Sequence, residues 1–451
     1  MPLAKMLEEL REAARLELKV HPQLHCNFFL NVGELVFFKL TYNIMKDTAL
    51  YEHLLGLQLP WSVKSVDLSL AEQRVVVEVV LKQGQIWADP TDSTKRAHIN
   101  GWSERQWRHL DTCQFETIIK ARVPQLKYSD GKVEELAVPW AERYSRVTLL
   151  MEAFVVKLLQ VCPTTKGVCE LTRLAWSTVN GIMVSAVERG MLRRSEEAVP
   201  HLGIDEKSSE RGHTYVSILT DIDGSRVLDL VPERKLKAAK SLLETLSPTQ
   251  RASVKAVAMD MWPAFMSAAQ TVIPHADIVH DRFHVAKYLG KAVDTVRKQE
   301  HSILSQAGTS PLTGSKYAWL KTYADGRSAE AVSFRALNQL NLKTSRAWRI
   351  KETFTQFWGY HYMGSAKRFF DAWSNNAMRS RLEPIKKVVR MLRRHEAGLL
   401  NYSRHRISNA CAEGFNSAIQ LIKANARGFR NFTNYRARIL FHCGKLDMSL
   451  G

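Results

Sequence analysis

Three acidic residues stand where their neighbours argue against them. Asp205 lies inside the apolar run HLGIDEKS, Asp260 ends the apolar run VKAVAMD, and Glu413 is nearly alone in a basic tail, where Arg379 to Gly451 carry 15 Lys or Arg against 4 acids. A carboxylate inside a buried strand is costly unless its charge is answered. Two carboxylates brought together repel and raise each other's pKa unless a cation lies between them. All-oxygen ligation suits a hard ion, Mg²⁺ or Mn²⁺. Glu413 shares a helical face with Ser417, Gln420 and Arg427, with Lys423 beside it, by the 3.6-residue period. An acid on a phosphate-seeking surface costs binding energy unless it holds a cation, although a helix-dipole role near an N-terminus competes with that reading.

Asp205 and Asp260 are far apart in sequence, so only a sheet can join them. The texture predicts strands at 202–207, 213–220 and 225–231, a helix at 236–246, a strand over VKAVAMD, a helix at 263–272, a strand over ADIVHD and a helix from Phe283. That order, β-β-β-α-β-α-β-α, is the order of the ribonuclease-H-like fold, in which the first strand and the strand after the first helix are neighbours. The expected class is α+β and multidomain: a ribonuclease-H-like mixed sheet with flanking helices and a helical insertion, preceded by a small β-rich domain and a helix-turn-helix.

The remaining chain divides by texture. Residues 1–55 read as a helical or mixed extension and 56–145 as the β-rich domain. In 146–198, a short helix at 166–173, a turn, and a helix from 177 to 187 with Ser177 as N-cap have helix-turn-helix proportions. There Ser177, Thr178 and Asn180 start the second helix nearest the bases, and residues 1–198 are expected to bind DNA by themselves. Residues 199–299 open the catalytic domain and 300–400 are a helical insertion, whose many aromatic rings suit a core more than base stacking. Residues 401–451 carry the last helix and the basic tail.

The formal net charge of +19, with 45% hydrophobic and 24% charged residues, excludes a disordered or fibrous chain and favours a polyanionic partner. No run reaches the length of a membrane span and the start is unlike a signal peptide, so a cytoplasmic protein without a membrane partner is expected. Six cysteines without a C-x-x-C pair read as free thiols.

The blocks HLGIDEKS…RGH, AVAMDMWPAF, PHADIVHDRFHV and AEGFNSAIQLIKANARGFRNF resemble the catalytic blocks of DDE transposases of bacterial insertion sequences, specifically the ISL3 family, and WRHLDTCQFETIIKARVP and VPWAERYSR resemble its N-terminal region. The resemblance implies that Asp205, Asp260 and Glu413 are the acidic triad holding two Mg²⁺ or Mn²⁺ ions, with Asp281 and His284 as accessory residues. It implies DNA cleavage at element ends and joining of the 3′ ends to target DNA, with Lys423, Arg427 and Arg430 contacting phosphates. The partners it implies are terminal inverted repeats, target DNA and a second copy of the chain, as a dimer on DNA. A ribonuclease-H-like nuclease, or a domesticated DNA-binding descendant, are the rival readings. The family's cysteine zinc element is replaced here by Asp89, Asp92 and Tyr128, poor ligands for tetrahedral zinc, so no structural zinc is expected.

Overall fold

The computed structural model describes residues 47–450 except 91, 93, 209–214, 321–328, 341 and 409, with the side chains of 329–332 and 410–413 also outside the description. Most of the expected N-terminal extension therefore lies outside the described residues, as does the turn between the first two catalytic strands. The chain forms two compact units, 1–148 and 149–451.

The N-terminal unit opens with α1 (Asp47–Leu54) and continues as β1 (Trp61–Ser69), β2 (Arg74–Leu81), β3 (Trp87–Ala88), β4 (Arg96–Arg108), β5 (Glu116–Lys127) and β6 (Val133–Glu135). The strands form one sheet in the order β1-β2-β5-β4-β3, with β6 added to β5. The alternation in β2 works as a pleat requires: Val75, Val77 and Val79 point inward with Ile119 and Val123 of β5. Trp140 closes this core, meeting Trp61 and Trp107 edge-on at ring separations of 5.0 and 5.4 Å.

The second unit starts with α2 (Leu149–Val161), α3 (Thr165–Thr172) and α4 (Trp176–Leu192). Thr164 caps α3 by accepting from the Gly167 amide, and Arg173 in the left-handed region ends it. The sequence reading needs correction at α4. Its N-cap is Ala175, which makes Ser177 an exposed residue of the first turn, and the helix runs to Leu192. Gly190 lies within it, where a Cβ would stand 2.7 Å from Leu446 Cβ; the glycine serves a close approach to the C-terminal segment.

Five strands follow: β7 (His201–Ser208), β8 (Tyr215–Asp221), β9 (Arg226–Pro232), β10 (Ala256–Met259) and β11 (Asp277–His280). They lie in the order β11-β10-β7-β8-β9, with β7, β8 and β9 antiparallel and β10 and β11 parallel to β7. This is the ribonuclease-H-like sheet. Between β9 and β10 come α5 (Leu236–Glu244) and α6 (Pro248–Ser253), the latter started by a reciprocal Ser247–Gln250 capping box that sequence reading passed over. Next come α7 (Pro263–Val272), between β10 and β11, and α8 (Arg282–Gln306).

The insertion comprises α9 (Ala329–Gln339), α10 (Lys343–Phe354), a 3₁₀ turn, α11 (Met363–Arg379), α12 (Glu383–Arg394) and α13 (Glu396–His405). Its rings are core: Trp319, Phe354, Phe357 and Phe370 are all but inaccessible, and Phe354 lies 4.5 Å from Trp373. The chain returns to the sheet through α14 (Ala410–Asn425) and α15 (Phe432–Cys443). Among the described residues no helix is long and apolar enough to cross a membrane, and Cys113, Cys162, Cys169 and Cys443 are free.

Candidate active site and DNA-facing surface

The sheet register brings the acids together. Ile204 of β7 pairs with Met259 of β10, which pairs with His280 of β11. The residues that follow are Asp205, Asp260 and Asp281, so three acidic positions stand in one row, just past the carboxyl ends of β10 and β11 and three residues short of the end of β7, near the edge where open α/β sheets bind ligands.

Their surroundings separate them. Asp205 accepts a 2.7 Å hydrogen bond from Asn416 Nδ2 of α14 and one from the Glu206 amide. Burial pushes its carboxyl above the ordinary range, against those two bonds and the charge of His284. Burial works the same way on Asp260 but loses: His284 Nδ1 lies 3.1 Å away, the Met261 amide and the Tyr288 hydroxyl also donate to it, and together they hold this carboxyl below the usual range. His284 is correspondingly raised: burial opposes its charge, but Asp260, Asp281 and Asp205 outweigh burial. Asp281 is 4% exposed and caps α8, accepting from the Phe283 amide at 3.2 Å.

Glu413 lies in the first turn of α14, three residues before Asn416. Positions three apart share a helix face, so the face that touches Asp205 through Asn416 is the face on which Glu413 stands; its side chain is outside the described residues. Lys207 of β7 has its pKa lowered by burial and by the charge of Lys423 of α14, against the pull of Asp205. Among the described residues no three His, Cys, Asp or Glu side chains are grouped to hold a metal ion.

Sequence reasoning missed Asn416 and Tyr288, although an amide one turn after a suspected catalytic glutamate was a readable signal. It also missed how Glu206, beside Asp205, is occupied. Glu206 points to the other face of β7 and takes both its bonds from Arg234 Nη1, at 2.9 and 3.0 Å. Arg234 is itself sandwiched between the rings of Tyr215 (4.0 Å) and Trp262 (4.7 Å).

The other sequence-predicted residues gather elsewhere in the second unit. Ser177 is exposed and Thr178 half-buried. Asn180 is not free for a base edge, because its Nδ2 donates to Asn434 Oδ1 of α15 at 3.1 Å. Arg427 and Arg430 are exposed in the loop after α14, and Lys423 is half-buried in that helix. α4 packs on α15, with Arg438 of α15 reaching Thr165 of α3.

In the N-terminal unit, Asp89 is buried and accepts from the Ser129 amide at 2.6 Å. Asp92 binds Thr94 and pairs with Lys95. Tyr128 begins the turn that holds Ser129.

Known proteins share these segments. Residues 202–439 match the family model for the ISL3-family DDE transposase, described as "Transposase". Residues 136–187 match the helix-turn-helix domain of transposase family ISL3, and 85–130 match a zinc-finger of transposases of the IS204/IS1001/IS1096/IS1165 group. The transposase for insertion sequence element IS1001 of Bordetella parapertussis is 28% identical over 66% of this chain and 74% of that protein. The transposase for IS1557 of Mycobacterium tuberculosis is 25% identical over 72% of this chain and 79% of its own length. The Drosophila P element transposase strand transfer complex aligns over 66% of this chain and 93% of that one at 10% identity, with a TM-score of 0.37.

Proposed function

Because this chain belongs to the ISL3 family of transposases, we propose that it binds the ends of its insertion sequence, cuts them and joins the freed 3′ ends to target DNA, with Asp205, Asp260 and Glu413 as the catalytic acids. The chain is a DNA transposase and a polynucleotidyl transferase of the DDE type, a family that works with divalent metal ions. The observation that carries the site assignment is the row of Asp205 and Asp260 on adjacent parallel strands, with α14 anchored to it by the Asn416 bond.

The donor set fits a hard cation: two carboxylates at one sheet edge, one with a pKa raised by burial, are the arrangement that a divalent ion relieves. Two such ions, Mg²⁺ or Mn²⁺, would supply activation of the attacking oxygen and stabilisation of the leaving 3′ oxygen. The chain's own residues hold the geometry. Asn416 fixes the rotamer of Asp205 by donating to Oδ2, and leaves Oδ1 to the backbone. His284 Nδ1 and the Tyr288 hydroxyl hold Asp260 from behind, the outer support that aims a ligating carboxylate. Asp281, by capping α8, sets the turn on which His284 stands. Lys423, Arg427 and Arg430 bind the strand's phosphates, and Ser177 and Thr178 lie nearest the bases at the ends, while Asn180, bonded to Asn434, holds α4 to α15. The terminal inverted repeats and target are double-stranded DNA, engaged by two copies of the chain in the cytoplasm.

The match of residues 85–130 to a zinc-finger model tells against the expectation of no structural zinc, and the residues at the expected ligand positions tell for it. Asp89 and Asp92 spend their oxygens on Ser129, Thr94 and Lys95, His109 on Thr148, and tetrahedral zinc wants thiolate or imidazole.

The deciding experiment supplies purified protein with Mg²⁺, a plasmid carrying the DNA that flanks this reading frame, and a second target plasmid. Joined 3′ ends are expected. Cutting without any joining would make the chain a nuclease, and binding without cutting in either Mg²⁺ or Mn²⁺ would make it a regulator.

A further inference from the structure

α15 carries a buried cation that no carboxylate answers. Arg438 is 6% exposed. Its Nη1 donates to Thr165 Oγ1 at 2.6 Å and lies 3.5 Å from Met183 Sδ, and it makes no ion pair among the described residues. Other arginines in this region are treated differently: Arg436, on the same helix, binds Asp229 through two nitrogens, and Arg189 of α4 binds Glu152. A buried guanidinium that meets only a hydroxyl and a thioether is poorly compensated.

Arg438 lines a cleft of about 600 Å³ between the start of α3 and α4 and the loop joining α14 to α15. Lys166, Arg427 and Arg430 also line it, with Trp176 and Phe429, and no acidic residue does. Trp176 is 54% exposed.

The conformation of Arg427 is a separate observation. The amide of Gly428 donates to Lys423 O and that of Arg427 to Ala424 O, which is the paired bonding of a Schellman helix end. In that motif the residue at the left-handed position is usually glycine, yet here it is Arg427, at φ 53°. An arginine stands where glycine would fit without strain, and it lines the cleft.

We propose that this cleft grips a backbone phosphate of the bound DNA, with Arg438 at its base, Lys166, Arg427 and Arg430 around it, and the flanking nucleotide against Trp176. The site is made by the helix-turn-helix and the last catalytic helices jointly, so holding the strand there ties end recognition to the active edge. The inference rests on the DNA transposase reading and adds to it a site that needs both elements.

Phosphate contacts are independent of sequence, so the probe is a fluorescein-labelled 30-base-pair duplex of random sequence, titrated with full-length protein at several salt concentrations. Arg427→Gly removes a cation and relieves the helix end, and Arg438→Met keeps bulk while removing the buried charge. Each is expected to leave the melting temperature unchanged or raised while weakening duplex binding about five- to tenfold and lowering the salt slope by about one. Lys166→Ala should act in the same direction. Unchanged duplex affinity and slope in the Arg427→Gly and Lys166→Ala chains overturn the site, whatever Arg438→Met does to folding. A second arm measures melting in inorganic phosphate at constant ionic strength. If phosphate stabilises the wild-type chain but not Arg438→Met, while both bind duplex equally, the cleft is a free-phosphate site and the proposal is wrong. Failure of the wild-type chain to bind duplex at all defeats the transposase reading and this one together.

Discussion

Asp281 and Glu413 compete for the third place in the triad, and their local chemistry separates them. Asp281 has structural employment as the N-cap of α8, so Asp281→Ala should cost about 1 kcal/mol of stability through the lost cap. Glu413→Gln keeps size and removes charge. It should leave duplex binding intact and reduce cleavage and joining by orders of magnitude, whereas Asn416→Ala, acting through Asp205, should cost roughly ten- to a hundredfold. A Glu413→Gln protein that joins ends at the wild-type rate, beside a folded but inactive Asp281→Ala protein, would move the assignment to Asp281. At His109 the matter is protons. Burial, reinforced by Arg108, lowers its pKa from 6.5 to about 4. The unfolded chain therefore takes up a proton below pH 6.5 that the folded chain refuses until about pH 4. The stability of the N-terminal unit should be flat above pH 6.5 and fall by about 1.4 kcal/mol per pH unit beneath it. Hydrogen exchange at Ile119 and Val123 follows this in the full chain, and His109→Asn should abolish the slope; an equal slope in the variant would place the titration elsewhere.

Between elements, α13 and β11 approach closely at a glycine. A Cβ on Gly398 would stand 2.4 Å from the His280 ring, a distance that neither a helix nor a buried imidazole can absorb locally. Gly398→Ala should therefore destabilise the second unit by about 1–3 kcal/mol, read as a melting temperature lowered by a few degrees; an unchanged value would mean that the helix stands off the strand. That contact was not legible in the sequence, where Gly398 looks like any helix glycine. The strands β7 to β11 were legible, because each is a short apolar run bounded by turn residues, and their order fixed which acids could be neighbours. Asp205 and Asp260 were readable for the same reason. Asn416 left a local trace, an amide one turn after Glu413, but its bond to Asp205 left none, and neither did Arg438 or the stack on Arg234, since each acts through partners far along the chain that no local pattern announces. The N-cap of α4 was misread because Ser177 is a favoured capping residue by type, whereas the left-handed Arg173 ends α3 early enough for the next helix to begin at Trp176.

For the molecule as a whole, the helix-turn-helix belongs to the catalytic unit. The expectation that residues 1–198 bind DNA alone gives way to a different one, because a cut at 198 strips α4 of α15, bonded to it at Asn180, and of the C-terminal segment that approaches Gly190. A 1–198 fragment should bind a hydrophobic dye and fail to select element ends in a gel shift, while 149–451 retains duplex binding; end-selective binding by the shorter piece would show the helix-turn-helix to be self-sufficient. The long insertion has another outcome, which belongs to the chain's synthesis. About 150 residues separate Asp260 from Glu413, and at roughly 5–20 residues per second they take on the order of ten to thirty seconds to translate. By the end of that interval β7 to β11 have all been made, with Asp205 and Asp260 in their sheet and the helix that carries Glu413 still to come. On the assignment of Glu413 as the third acid, a nascent strand-cutting enzyme would be kept harmless to the DNA around it until α14 is made. Ribosome-stalled chains ending near residue 400 should hold a folded sheet, resist protease there and cut no DNA, and cutting by such chains would show that α14 is dispensable.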